Sequence, residues 1–141
     1  KSNYKCPIKH KIKPFEIINI DSKEERVGTS FKNEIEANKI IELYNKLLET
    51  FKNVIVISPY QAQCKLLKEL KKDIIIHTVD SFQGNEAEAV ILTTVRTSNL
   101  GFWSDYRRLN VAMTRAQHVL RVVGNTKAWT SGPLYKLIKS N

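Results

Sequence analysis

The stretch IIIHTVDSFQGNEAEAVILTTV, residues 74–95, places a polar segment between two short apolar runs. Near-continuous runs of apolar residues are typical of strands that are buried on both faces of a sheet. We therefore predict strands at 74–76 and 89–95. The segment between them, TVDSFQGNE, groups hydrogen-bonding side chains around one glycine, Gly84, and these side chains belong to Thr78, Asp80, Ser81, Gln83 and Glu86.

Strands and amphipathic helices alternate along the rest of the chain. Further strands are predicted at 15–20, 54–57 and 118–124, and helices at 34–50, from Ser58 onward, at 105–117 and at about 126–139. Such an alternation is what a parallel sheet that is covered on both faces requires. The predicted fold class is α/β, a doubly wound parallel sheet with helices on both faces, formed by residues 1–141 as a single domain that starts with an irregular basic segment at 1–14.

Two helix starts carry capping signals. Asn33 followed by Glu36 resembles a capping box. Ser58, Pro59 and Gln61 suit the N-cap, N1 and N3 positions of the next helix. That helix would turn three leucines towards the core, namely Leu66, Leu67 and Leu70.

The charge balance of the chain favours polyanionic partners. With 23 Lys and Arg against 14 Asp and Glu, the net charge is +9. Such a charge is typical of nucleic-acid-binding proteins, although a merely lysine-rich composition gives the same value. Cys6 and Cys64 are too few for a disulfide framework and indicate a reducing, intracellular compartment. Cys6 and His10 have a zinc-like spacing without a second pair of ligands, so we predict no metal site.

Doubly wound sheets bind their ligands just beyond the carboxyl ends of the strands. This rule predicts that three segments share one rim: 58–63, 78–86 and 96–110. Ser58 is either a plain N-cap or part of a phosphate site at a helix start. Tyr60 either stacks on a base or packs against the protein.

The segment DYRRLNVAMTRAQ, residues 105–117, predicts an amphipathic helix that Asp105 caps. Its core face contains Leu109, Ala112, Met113 and Ala116. The residues that face away from the core are Arg107, Asn110 and Thr114. Arg108 and Arg115 share the border of the apolar arc, where their guanidinium groups either reach a cleft and bind phosphate or form an ordinary solvated pair.

The residues of TVDSFQGNE also allow two interpretations. Gly84 permits close backbone approach to an anion, Gln83 suits a water or a phosphate, and Glu86 suits a ribose hydroxyl. Thr78 and Ser81 suit donation to a nucleic-acid backbone. The alternative is a loop whose turn residues satisfy one another.

Other elements of nucleotide chemistry are absent from the sequence. No G-x-x-x-x-G-K-[ST] loop occurs in the chain. Glu24 and Glu25 precede no phosphate-binding element, so we expect both to be solvated. No apolar stretch reaches the length of a membrane span, so no membrane partner is predicted.

Three segments together resemble a known family. VISPYQAQ, TVDSFQGNEAEAVILTTVRT and RRLNVAMTRAQHVLRVVGN, in that order, are similar to the second RecA-like domain of superfamily-one helicases. The similarity spans residues 24–125. The nearest branch contains the nonsense-mediated-decay RNA helicase, senataxin and the nidovirus replicase helicases.

The resemblance implies ATP with Mg²⁺, movement 5′ to 3′ along RNA or DNA, and the first RecA-like domain of the same protein as a partner. It implies catalytic roles for Arg115, as an arginine finger, and for Gln83. Gly84, Glu86, Arg108 and Arg115 would contact ATP. The nucleic-acid side would consist of Ser58, Pro59, Tyr60, Thr78, Val79, Asp80, Asn110 and Thr114.

The chain departs from the family in two respects. It lacks the glutamine-tyrosine-arginine-methionine-histidine segment and contains no first RecA-like domain. By itself it should therefore not hydrolyse ATP, and we expect a monomer that supplies half of a site. The alternatives are a helicase-like module that binds nucleic acid or protein without turnover, and an unrelated nucleotide-binding α/β domain.

Overall fold

The structure is a computed structural model that describes residues 12–81, 85–98 and 101–140. Its main elements are, in chain order, β1 (Phe15–Asn19), β2 (Glu25–Val27), β3 (Ser30–Lys32), α1 (Glu34–Leu48), β4 (Val54–Ile57), α2 (Gln61–Leu70), β5 (Ile76–His77), β6 (Ala87–Thr93), α3 (Tyr106–Met113), β7 (Ala116–Gly124) and α4 (Gly132–Ser140). Two short 3-10 helices, Gly101–Ser104 and Thr126–Ala128, precede α3 and α4.

Five strands form one parallel sheet in the order β1-β7-β6-β4-β5. Ile57 of β4 lies opposite Leu92 of β6, and Leu92 lies opposite Val122 of β7. The outer pairs, β1 with β7 and β4 with β5, are also parallel. The α/β prediction is confirmed, since parallel neighbours need the crossover connections that the alternating pattern indicated.

Helices cover both faces of this sheet, as a doubly wound fold requires. On one face α3 and α4 pack over a core that includes Trp103, Leu109, Trp129 and Leu134. On the other face α1 and α2 pack over a core that includes Ile40, Tyr44, Phe51 and Leu67. The strand residues between the two layers are buried because helices exclude water from both faces of the sheet.

The predicted elements differ from the observed ones mainly at their ends. Strand 54–57 is confirmed, whereas the strand predicted at 74–76 is displaced to Ile76–His77. Ile74 belongs to the preceding turn, where its N–H donates to the Lys71 carbonyl, and Ile75 is 46% exposed. The apolar run therefore overstated the length of this edge strand.

Helix α2 starts later than its capping signal predicts. Ser58 is not the N-cap: the helix begins at Gln61, and Tyr60 occupies the N-cap position without a side-chain hydrogen bond. Leu67 is fully buried as predicted, but Leu70 is 44% exposed, so its inward orientation was wrong.

The C-terminal helices are shorter than predicted. Asp105 caps α3 as expected, since its carboxylate accepts from the Arg107 N–H. The helix ends at Met113 instead of 117 because Ala116 already pairs with Ala87 in the sheet. The helix predicted at 126–139 divides into the 3-10 helix Thr126–Ala128 and α4.

A small antiparallel hairpin, β2 with β3, was not predicted. Gly28 in its turn has φ +62°, which glycine adopts without steric cost. Most of the basic segment at 1–14 lies outside the described residues. Lys13 is described, and its carbonyl accepts a 2.9 Å hydrogen bond from Arg121.

Replacing Gly124 should destabilise the fold. A Cβ at this position would overlap the Thr94 hydroxyl and lie 3.1 Å from Cζ2 of Trp129. We expect Gly124→Ala to lower the free energy of unfolding by about 1–3 kcal/mol, the usual cost of overpacking, as measured by urea denaturation. Gly28→Asn is the control, since that site is open and Asn tolerates its φ; an equal loss in both variants would contradict the prediction.

Candidate functional site

The polar segments lie at two opposite edges of the sheet. The carboxyl edge carries Ser58–Tyr60 after β4, Thr78–Ser81 after β5 and the turn at 94–98 after β6. The amino edge carries Glu86, just before β6, and Arg115, just before β7. The prediction of one shared rim was therefore wrong for Asn85 and Glu86, because a chain that leaves β5 must return to the amino edge before it can start parallel β6.

Arg115 is held by three hydrogen bonds at the amino edge. Its Nε donates to the Val111 carbonyl at 3.1 Å, one terminal nitrogen donates to the Asn85 carbonyl at 3.1 Å, and the other donates to the Thr114 hydroxyl at 3.3 Å. These bonds orient the guanidinium between the end of α3 and the segment that precedes β6. A guanidinium has more N–H groups than these three bonds use, so donors remain for an anion.

Glu86 lies beside Arg115 because their strands are hydrogen-bonded neighbours. The Ala87 N–H donates to the Arg115 carbonyl at 2.9 Å. The exposed Glu86 carboxylate accepts a 3.1 Å hydrogen bond from the Gln117 amide. Gln83 and Gly84, the other predicted members of this site, lie outside the described residues.

Arg108 does not share a helical stripe with Arg115, because Arg115 lies beyond the end of α3. The Arg108 guanidinium stacks over the Phe102 ring at 4.3 Å and pairs with Asp105 at 3.7 Å. Both groups of that ion pair are about half exposed, so the pair contributes little stability. The structure thus places Arg115 and Glu86 on neighbouring segments of the amino edge and leaves Arg108 with partners near the start of its own helix.

Ser58 is fully buried at the end of β4. Its hydroxyl accepts from the Tyr60 N–H and donates to the Tyr60 carbonyl, both at 3.2 Å. Pro59 between them is partly buried. The hydroxyl therefore closes a local turn.

Tyr60 packs against the protein. Its ring meets Phe31 of the hairpin edge-to-face at 5.6 Å. Its hydroxyl accepts from the Phe102 N–H at 3.3 Å. Of the two interpretations that the sequence left open for Tyr60, these contacts favour packing.

Thr78 and Ser81 form a turn closed by reciprocal hydrogen bonds. The Thr78 N–H donates to the Ser81 hydroxyl at 3.0 Å, and the Ser81 N–H donates to the Thr78 hydroxyl at 3.1 Å. Val79 is buried under the turn, within the α3–α4 core, whereas Asp80 is exposed. Both polar side chains thus serve the turn, and Asp80 and the turn's outer surface face solvent.

Asn110 and Thr114 are exposed on α3, as their helical positions predict. The Thr114 hydroxyl donates to the Val111 carbonyl at 3.0 Å and accepts from Arg115. Thr114 therefore belongs to the structure that orients Arg115.

Glu24 was not recognised in the sequence as a structural residue. Its carboxylate accepts from Arg96 Nε at 3.0 Å and from the Thr97 N–H at 2.7 Å. Although burial raises the pKa of Glu24, the Thr97 and Arg96 hydrogen bonds hold it below its ordinary value. The expectation that Glu24 is solvated was wrong, and exposed Glu25 alone conforms to it.

Arg96 connects this ion pair to the aromatic residues of the carboxyl edge. Its guanidinium carbon lies 3.7 Å from the centre of the Phe31 ring. Burial would lower the pKa of Arg96, but hydrogen bonds to Glu24 and Tyr60 raise it above its usual value. Arg96 therefore fixes the hairpin to the turn after β6.

Glu36 is a second residue whose side chain has a role that the sequence did not predict. It does not return to the Asn33 N–H as in a capping box; Gln63 Oε1 accepts that N–H at 2.9 Å. Asn33 does cap α1, accepting from the Glu36 N–H at 3.1 Å. Half of the predicted box is thus confirmed.

The Glu36 side chain is instead buried beneath the carboxyl edge. One carboxylate oxygen accepts from the Thr93 hydroxyl and, at 3.0 Å, from the Val95 N–H. The other oxygen is buried and has no hydrogen-bond partner among the residues that the structure describes. Burial raises the pKa of Glu36 to about 7, against the lowering effect of these hydrogen bonds.

Two kinds of site are not found in the described part of the chain. No group of three or more His, Cys, Asp or Glu side chains within it could hold a metal ion. No helix among these residues has the length and apolar composition needed to cross a membrane.

The fold and the two polar edges define a RecA-like α/β domain. A family profile described as an AAA domain matches residues 2–127, and the chain therefore belongs to this family.

The relatives of the chain bear names of the helicase class. An uncharacterized ATP-dependent helicase of Methanocaldococcus jannaschii is 39% identical over 86% of the chain and 19% of its own length. Regulator of nonsense transcripts 1 of Dictyostelium discoideum is 38% identical over 81% of the chain and 10% of its own length. Helicase SEN1 of Saccharomyces cerevisiae is 33% identical over 86% of the chain and 6% of its own length.

The chain thus spans about a fifth or less of the length of these relatives. Together with the family match they identify a helicase-type domain of the superfamily-one branch. The part of the resemblance that concerned nidovirus replicase helicases stays a prediction.

The buried carboxyl of Glu36 should make stability depend on pH. Its pKa is about 7 when folded against an ordinary 4.5, so between these values the folded state keeps a proton that the unfolded state releases. The stabilisation is present below pH 4.5 and is lost as pH rises to about 7, by at most about 1.4 kcal/mol per pH unit. We expect Glu36→Gln to flatten this decline in urea titrations from pH 4.5 to 8.

The control for this experiment is Glu34→Gln, an exposed carboxylate on the same helix. The free energy of unfolding of this variant should depend on pH in the same way as that of the unmodified chain. A Glu36→Gln profile parallel to both would show that Glu36 is ionised throughout and would contradict the prediction.

Proposed function

We propose that the chain is the C-terminal motor domain of an ATP-dependent nucleic-acid helicase or translocase. In this proposal Arg115 and Glu86 form half of an ATP site at the amino edge of the sheet. The turn at Thr78–Ser81, with Asp80, contributes to a nucleic-acid track at the carboxyl edge. The observation that carries the proposal is that one crossover, between β5 and β6, joins these two edges.

The residues at the amino edge suit a nucleotide. Arg115 has unused N–H donors on an already oriented guanidinium, which is what stabilisation of charge on a transferring phosphoryl group requires. Glu86 presents an exposed carboxylate, which suits a ribose hydroxyl. The roles of Gln83 in orienting a water and of Gly84 at the phosphate remain predictions from the resemblance.

Mg²⁺ and the remaining phosphate contacts would come from the first RecA-like domain. This assignment is supported by the absence of a Walker loop from the sequence and of a ligand cluster from the described residues. The isolated chain would therefore be inactive, and the full site would assemble when the two domains close. We also propose an intracellular, monomeric protein that moves 5′ to 3′ on RNA or DNA.

Some predicted track residues now have a supporting role. Ser58 is buried and Tyr60 is packed, so with Pro59 they would shape the carboxyl edge without touching the strand. Val79 would anchor the turn from below. Asp80 is the exposed predicted track residue of this turn.

The alternative is a helicase-like module that binds without turnover. The hydrogen bonds that orient Arg115 favour the motor, because a binding module gains nothing from a guanidinium fixed between Val111 and Asn85 at the amino edge. In a module without turnover, Arg115 would serve only to satisfy the Val111 carbonyl at the end of α3.

Arg115→Ala in the full-length protein should reduce ATPase activity on the order of 10³-fold, the usual contribution of an arginine finger. Nucleic-acid binding without nucleotide should persist, because Arg115 lies at the opposite edge from the proposed track. Steady-state phosphate release and fluorescence anisotropy measure the two quantities.

Arg107→Ala is the matched control, since it removes an exposed arginine from α3, the helix that precedes Arg115, and should leave turnover unchanged. Thermal unfolding checks that losing the Val111 contact has not unfolded the domain. Unchanged ATPase in folded Arg115→Ala would reject the motor assignment and favour the binding module.

A further inference from the structure

The C-terminal part of the chain is rich in positive charge. Residues 101–141 contain seven cationic side chains, those of Arg107, Arg108, Arg115, Arg121, Lys127, Lys136 and Lys139, and a single carboxylate, that of Asp105. Asp105 is already paired with Arg108. Arg121 is buried and paired with Glu16, so the positive potential of this part of the chain comes from its other cations.

Aromatic rings accompany these cations on the outer surface of α3 and α4. Lys136 Nζ lies 5.2 Å from the centre of the Tyr106 ring, and Lys139 Nζ lies 5.9 Å from the centre of the Tyr135 ring. Tyr106 is 47% exposed and Tyr135 is 38% exposed. We call the surface formed by Tyr106, Tyr135, Lys136 and Lys139 the α3–α4 surface.

A groove of about 250 Å³ runs between the two helices. Leu109, Met113 and Leu137 form its apolar lining, and Tyr106 and Lys136 lie in its wall. An apolar groove with an exposed aromatic ring and an ammonium group suits a planar ring that carries a nearby negative charge. The groove is below the size range of sites that enclose a drug-sized ligand, which favours a single base over a whole cofactor.

We propose that the α3–α4 surface is a second contact site for single-stranded nucleic acid. A base would stack in the groove against Tyr106, and Lys136 and Lys139 would neutralise backbone phosphates. The inference rests on the proposed function, because it extends the nucleic-acid track of that motor. The α3–α4 layer covers the same face of the sheet as Val79, which anchors the Thr78–Ser81 turn, so the new site and the proposed track share one side of the molecule.

Charge and ring chemistry together favour nucleic acid over an acidic polypeptide. Both polyanions would be attracted by Lys136 and Lys139. A flexible acidic peptide, however, has no flat groups to match the exposed rings of Tyr106 and Tyr135, whereas every base presents a π-face.

The test measures the salt dependence of binding by the nucleotide-free full-length protein. The probes are fluorescein-labelled oligouridine and oligothymidine, followed by anisotropy between 50 and 200 mM salt. We expect Lys136→Gln with Lys139→Gln to weaken binding on the order of ten-fold. The slope of log K against log salt should become shallower by about 1.4, since each phosphate contact on a single strand contributes about 0.7.

The matched control is Lys46→Gln with Lys65→Gln, which removes two exposed charges from α1 and α2 on the opposite layer. Its slope should equal that of the unmodified protein. An equal change in both double variants would show that only net charge matters and would overturn the proposal.

Substitution of Tyr106 separates stacking from charge. Tyr106→Ala should weaken binding about five-fold or more, while Tyr106→Phe keeps the ring and should bind normally. Circular dichroism establishes that each variant is folded. Loss of affinity in both variants, or in neither, would reject a stacked base in the groove.

Competition with polyglutamate addresses the other class of partner. RNA or DNA should displace the probe far better than polyglutamate at equal charge, and equally good displacement would reassign the surface to acidic proteins.

The outcomes of these binding experiments are independent of the ATPase test. If Arg115→Ala leaves turnover unchanged, the motor assignment fails, and the binding measured here still decides the α3–α4 surface.

Discussion

The buried carboxylate of Glu36 is the point at which three parts of the fold meet. It reaches from α1 under the sheet and accepts hydrogen bonds from the last residue of β6 and from Val95 in the turn beyond it. Asn33 caps the same helix, and its side-chain amide donates a 3.1 Å hydrogen bond to the Val95 carbonyl. Helix α1 thus sets the direction in which the chain leaves β6.

Val95 shows how strongly this turn is constrained. It has φ 65°, a conformation that a β-branched side chain adopts only at an energetic cost. The two hydrogen bonds from α1 compensate for that cost. The next residue, Arg96, is aimed at Glu24, Phe31 and Tyr60 as a result, so the contacts that hold the hairpin depend on a carboxylate in another layer.

The sequence predicts those features that depend on local patterns. The continuous apolar run VIVI fixes β4 because a strand buried on both faces needs no alternation. Asn33 and Asp105 cap their helices because capping involves only the next two or three residues.

Features that depend on distant partners could not be predicted in this way. Glu24 and Glu36 bind residues 57 to 74 positions away, and nothing beside them in the sequence distinguishes a buried carboxylate from a solvated one. The hairpin segment ERVGTSFK lacks apolar alternation, and Gly28 was its one turn signal. The end of α3 was missed because the pairing of Ala116 with β6 competes with the helix, and pairing is a property of the sheet.

The position of Arg115 and Glu86 has a similar origin. Strand direction is shared by all members of a parallel sheet, so the connection from β5 to β6 must change edges. A rule that assigns ligands to carboxyl ends therefore cannot be applied to a whole connecting segment. It holds for Thr78–Ser81 and fails for the residues next to Ala87.

The length of β6 sets how the two edges can influence each other. Its seven residues, at about 3.3 Å each, separate the edges by roughly 20 Å. The Debye length at physiological ionic strength is about 8 Å. In the proposed motor, the solvent between the two edges would therefore screen most of the effect of a charge change beside Arg115 on the Thr78–Ser81 turn. We expect the two edges to communicate mainly through displacement of the sheet.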